Sequence, residues 1–235
     1  PKRSGRRRKM PGTPKKKSRR RRVQIGPMHE IEARRRLKMR RKLVVLDHDL
    51  TFSCTSTDQD EHVSKEEHKA KLEAAATKCK FDLDQYHEAA GEFVSNLHGH
   101  STITLTQNNE HNVRMGWELA GVSPECLDAV LSVYDIEEQR KADCIEPFGK
   151  YEAKASLLRK YMEEHDHRFA VFVDDNNKEC KAMRDAFGER TAFDTAGPAR
   201  QVVVVQVHRP ARDSSELPGL FNYPGTVAEI HAALA

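Results

Sequence analysis

Leu43-Val44-Val45-Leu46-Asp47-His48-Asp49-Leu50-Thr51 decides how the chain reads: four apolar residues run into two aspartates one residue apart, then a threonine. A valine-rich apolar run of this length predicts a strand buried on both faces, the kind that builds parallel sheets. A chain leaving such a strand at its C-terminal end enters the crevice where open α/β sheets bind ligands. Two carboxylates there repel each other and lose hydration, and a hard cation such as Mg²⁺ is the usual compensation. The same acids on a solvated turn would only cap a helix, but behind a buried strand that reading leaves their charge unbalanced.

Working outward, further strands are expected at Thr102–Thr106, Phe169–Val173 and Val202–Val207. Helices are expected at about 64–80, 84–97 with Asp84 as cap, 112–120, 124–133, 151–163, 178–187 and 226–234. Strands alternating with helices of this length predict an α/β fold, a Rossmann-like parallel sheet sandwiched by helices, over 43–235.

The 235 residues carry a net charge of only +4, but residues 1–42 hold 20 Lys/Arg against two acids, leaving the rest strongly acidic. Residues 1–26 contain almost nothing to bury and read as a disordered basic tail, followed by a basic helical linker over 27–42. The run Pro14–Arg22 has the character of a nuclear-import signal or a phosphate-binding arm, so importin or nucleic acid is the expected partner of residues 1–42. Five scattered cysteines without a Cys-x-x-Cys pair point to reduced thiols in an intracellular protein, nuclear or nucleolar if the basic tail is functional and otherwise cytoplasmic. No apolar run approaches the ~20 residues that span a bilayer, and the N-terminal residues lack an apolar secretory core, so no membrane partner is expected.

Two more strand ends carry chemistry. Thr102-Ile103-Thr104-Leu105-Thr106 delivers a hydroxyl followed by Gln107-Asn108-Asn109, and Phe169–Val173 delivers Asp174-Asp175, with Glu179 four residues beyond. Lys150 and Lys154 lie one turn apart at the start of a helix between them. This ordered set resembles the haloacid dehalogenase-like (HAD) superfamily of phosphohydrolases over about 43–187. The resemblance implies that Asp47 is the nucleophile, forming an aspartyl-phosphate, and that Asp49 protonates the leaving oxygen and later activates water. It implies Mg²⁺ held by Asp47, the Asp49 carbonyl and Asp175, with Asp174 and Glu179 behind them. Thr106 would bind a phosphoryl oxygen, with Thr51, Gln107 and Asn108 also at the substrate. Lys154 would balance the transferring charge, with Lys150 as the alternative. An acid two residues after the nucleophile separates phosphatases from dehalogenases, and from pumps with Lys-Thr-Gly-Thr after theirs.

The stretch 52–82 leaves room for only a small cap of one flap and one helix, so an open site is expected. Its substrate would be a phosphoprotein, a nucleic-acid end or a varied metabolite. His48 is expected at most to touch substrate, and His98-Gly99-His100 and His165-Asp166-His167 read as solvated loops. A response-regulator receiver also uses aspartates, Thr and Lys, but its acidic pair comes first, whereas here Asp174-Asp175 comes last. The competing reading is a non-catalytic nucleic-acid-associated protein acting through the basic tail.

Overall fold

In this computed structural model the described residues are 42–53, 55–56, 62–97, 99–145, 149–188, 200–207, 219–222 and 224–235. The tail expected over 1–26 and the linker over 27–42 fall outside them except for Lys42, as do residues 54 and 57–61 of the expected cap and His98.

Five strands, β1 (Leu43–Leu46), β2 (Ser101–Leu105), β3 (Ala129–Leu131), β4 (Phe169–Asp174) and β5 (Gln201–Gln206), form one parallel sheet ordered β3-β2-β1-β4-β5. Seven α-helices are described: α1 (Lys65–Cys79), α2 (Leu83–Asn96), α3 (Glu110–Leu119), α4 (Val133–Ala142), α5 (Lys150–Glu164), α6 (Asn177–Phe187) and α7 (Pro224–Leu234). The result is an α/β Rossmann-like sandwich. From β1 the chain builds outward through β2 to β3, then returns to β1's other side as β4. The direction of winding therefore reverses at β1 and β4, which opens a crevice beyond their C-terminal ends.

Side chains alternate across the sheet, dividing the core in two. Val44, Leu46, Val171, Val173 and Val205 pack on one face with Phe93 of α2, Trp117 of α3 and Ile230 of α7. Leu43, Val45, Ile103, Leu105, Ala170 and Phe172 pack on the other with Ile136 of α4, Leu158 and Met162 of α5 and Met183 of α6. The helices begin where polar side chains take orphan backbone N–H groups: Ser64 for α1, Asn109 for α3 and Asn176 for α6. Lys42 donates to the carbonyls of Ala233 and Leu234 at 3.2 and 2.8 Å, tying the entry to β1 to the end of α7.

Three expectations are corrected. The cap of α2 is Asp82, which accepts from the Asp84 N–H, and not Asp84 itself. The helix expected over 124–133 is a 3-10 turn at Pro124–Cys126 followed by edge strand β3, with helix α4 unforeseen behind it. His167 is buried with its ring against Tyr161, so the His165–His167 turn is solvated only in part, at the exposed His165. Among its described side chains, the polar helix α1 buries only His68, Leu72 and Ala76. No helix among the described residues is long and apolar enough to cross a membrane.

Candidate active site

Strand pairing alone brings two of the acids together. Leu46 pairs with Val173, and the Asp47 N–H donates to the Val173 carbonyl at 2.9 Å, so Asp47 and Asp174 end neighbouring strands side by side. By alternation Asp47 follows Leu43 and Val45, and Asp174 follows Ala170 and Phe172, so both face the layer of α4, α5 and α6. Helix α5 supplies Lys154 from that side and α6 supplies Glu179 from its first turn. The fully buried Lys154 ammonium donates to Asp47 Oδ1 at 3.0 Å, to Asp174 Oδ2 at 2.9 Å and to Glu179 Oε2. Lys150 does not join this cluster; it donates to Gln107 Oε1 at 2.7 Å, and Gln107 in turn donates to Glu179 Oε1.

Oxygens of Asp47, Asp174 and Glu179 all lie within 4.8 Å of one another. Three carboxylates share one ammonium here, an excess of negative charge removed from water. Burial, opposed by Lys154 and reinforced by Glu179 and Asp49, pushes the Asp47 carboxyl up to about 7. Burial likewise holds Asp174 well above the usual carboxylate range, with Lys154 opposing it. Glu179 goes the other way, because Lys154 and hydrogen bonds from its neighbours outweigh its burial. Clustered hard oxygen donors with surplus negative charge fit a divalent cation of the Mg²⁺ or Ca²⁺ class.

The trio differs from the metal set expected from the sequence, Asp47, Asp49 and Asp175 with Asp174 and Glu179 behind. Asp175 stands just beyond the end of β4 and is bound to Thr51. The Thr51 hydroxyl accepts its N–H at 3.0 Å and donates to its Oδ1 at 3.4 Å. Thr51 is itself fully buried, so it clasps the tips of β1 and β4 together rather than facing a substrate. Asp49 is half-buried and accepts from Asn108 Nδ2 at 2.9 Å. Asn108, expected at the substrate, is fully buried behind Asp49. Thr106 lies at the tip of β2, also buried, with its Oγ1 accepting the Asn108 N–H at 3.3 Å.

His48 is a further correction, because it has no access to a substrate. The ring is 1% exposed and lies over Gly116 of α3, where a Cβ would sit 2.4 Å from its Cε1 and 2.6 Å from its Nε2. Burial, with His68 nearby, pushes its pKa down to about 3, so the ring is neutral. Only glycine at 116 admits it. Leu50, next after Asp49, holds a left-handed φ of 59°, the sort of local strain that clusters at functional sites. On the outer side of Asp175 a cleft of about 880 Å³ opens, lined by Tyr151, Asn176, Asn177, Lys178, Gln206 and Thr226.

No protein-family model matches the chain, and no curated protein does. Among solved structures, the chain is similar to the HAD domain of effector protein Lem4 from Legionella pneumophila. The identity is 15% and the TM-score 0.46, over 83% of this chain and 95% of that one.

Proposed function

We propose that the chain is a Mg²⁺-dependent phosphatase of the HAD type, hydrolysing a phosphate monoester through a phosphorylated Asp47. The observation that carries this reading is the buried Lys154 ammonium set among Asp47, Asp174 and Glu179 at the tips of adjacent parallel strands. A purely structural role for such a cluster is expensive, since replacing buried ion pairs by apolar residues is often neutral or stabilising.

Asp47 attacks phosphorus in line, the bond to the leaving oxygen breaks, and Asp49 gives that oxygen its proton. Water then attacks the acyl phosphate, Asp49 takes its proton, and phosphate leaves with the Asp47 carboxylate restored. Lys154 holds Asp47 in place and offsets charge on the transferring group, and the Thr106 hydroxyl would donate to a phosphoryl oxygen. Asp47 with Asp174 and Glu179, or with the Asp49 carbonyl and Asp175, would hold Mg²⁺, which would supply positive charge for the phosphoryl oxygens. The polar cleft beside Asp175 favours a hydrogen-bonding leaving group: a metabolite, a phosphoprotein segment or a nucleic-acid end.

Phosphate release from p-nitrophenyl phosphate, with and without Mg²⁺, tests the reading. Activity that needs the metal and disappears in Asp47→Asn supports it, and undiminished activity in that variant refutes it.

The +18 net charge of residues 1–42 favours a second reading, contact with nucleic acid or importin by that segment and residence in the nucleus. Binding to duplex DNA that falls with salt at a log–log slope of about −0.9 per phosphate contact, and vanishes without residues 1–42, would support nucleic-acid contact.

A further inference from the structure

Asp49 is held by a file of hydrogen bonds whose direction can be read. Its Oδ2 accepts from Asn108 Nδ2 at 2.9 Å. The Oδ1 of Asn108 accepts from the Asn109 N–H at 2.8 Å and from Asn112 Nδ2 at 3.0 Å. The Oδ1 of Asn112 accepts from the Val63 N–H at 3.1 Å. A side-chain amide can exchange its oxygen and nitrogen by a flip, but a backbone N–H cannot. Val63 therefore fixes the orientation of Asn112. Asn112, with the Asn109 N–H, fixes that of Asn108, so an N–H and not a carbonyl oxygen is presented to Asp49. Both amides are fully buried, and both stand at the rigid start of α3, where Asn109 caps the helix by accepting the Asn112 N–H at 2.9 Å. A reversed amide would point an oxygen at the carboxylate with no water to separate them.

We propose that Asn108 and Asn112 are positioning residues for Asp49, setting its rotamer by presenting a fixed N–H to its Oδ2. The proposal rests on the phosphatase reading and extends it. The far end of the file lies at α1, since Val63 immediately precedes the Ser64 cap of that helix. The seating of α1 on α3 is thereby linked to the proton donor through two side chains.

The test exploits leaving-group chemistry. An alkyl phosphate needs its leaving oxygen protonated in the transition state, whereas p-nitrophenolate departs with little help. In Asn108→Ala, kcat/KM for glycerol phosphate should fall by about 10²-fold, the scale of general-acid help, with only a small change for p-nitrophenyl phosphate. Asn112→Leu, which leaves Asn108 held by the Asn109 N–H alone, should show the same pattern more weakly, and it serves as the second variant if Asn108→Ala fails to fold. With Asp49→Ala already present, Asn108→Ala should cost nothing further on either substrate, because both act through one group. Equal slowing of both substrates, or a full additional loss in the Asp49→Ala background, overturns the positioning role and leaves the phosphatase reading standing. A wild-type chain that hydrolyses neither ester with Mg²⁺ overturns both.

Discussion

Replacing Asp47 by Asn should remove activity and stabilise the metal-free protein. The Asp47 carboxyl, ordinarily near 3.8, is pushed up to about 7 by burial beside Glu179 and Asp49. Between those values the unfolded chain has released a proton that the fold retains, so wild-type stability falls as pH rises through the window. Three pH units at 1.36 kcal/mol each set a ceiling of about 4 kcal/mol above pH 7. Lys154, Asp174 and Glu179 readjust when Asp47 is neutralised, which trims the expected gain to about 2 kcal/mol. The signature is its pH dependence: nothing gained below about pH 4, where Asp47 is protonated in both states, and the full gain by pH 8. Urea unfolding in a chelator reads this through Trp117, the sole tryptophan, buried and stacked on Phe52 at 4.1 Å. Saturating Mg²⁺ should then reverse the order, since ligand at 100 times Kd adds about 2.7 kcal/mol to the chain that binds it. A variant no more stable than wild type at pH 8, or one offset equally at every pH, would refute the reasoning.

Lys154→Met leaves three buried carboxylates without their ammonium and should cost about 3–5 kcal/mol in chelator at neutral pH, shrinking as acid protonates them; chemical denaturation at pH 7 and pH 4 measures both. Gly116→Ala puts a methyl group within 2.6 Å of the His48 ring and should destabilise by about 1–3 kcal/mol and lower kcat/KM, because His48 lies between Asp47 and Asp49. His48→Ala in the same chain should recover part of that stability. The depressed pKa of His48 gives an opposite pH slope. Below 6.5 the unfolded chain takes up a proton that the fold refuses down to about 3, so stability falls with acid by about 1 kcal/mol per pH unit. Measured in the Asp47→Asn chain, where the opposing slope is gone, His48→Leu should flatten that acid limb.

The sheet was legible because β1 and β4 are apolar runs that stop at acids, and β2 is a threonine-rich run that stops at a hydroxyl. Strand β3 was not, since Ala129–Leu131 is three half-buried residues on an edge, and Leu-Asp-Ala-Val-Leu suits a helix as well as a strand. The acids themselves were readable, but their grouping was assigned by family pattern. Alternation along Leu43–Asp47 and Ala170–Asp174 was the available signal that Asp174, and not Asp175, stands beside Asp47. No signal in the chain marks Asn108 and Thr51 as buried. An asparagine or threonine after a strand usually meets solvent, and only the folded contacts with Asp49 and Asp175 turn them inward. His48 was misread for a similar reason: the glycine that accommodates it lies on a helix far along the sequence.

The position of β1 between β2 and β4 has a consequence in time. Lys154 leaves the ribosome 107 residues after Asp47, and Asp174 later still. At typical synthesis rates of about 5–20 residues per second, the nascent chain carries Asp47 for roughly 5–20 seconds before its ammonium partner exists. Until β4 docks against β1 the cluster of acids around an ammonium cannot assemble, so interrupted translation products and fragments cut ahead of residue 150 lack it altogether.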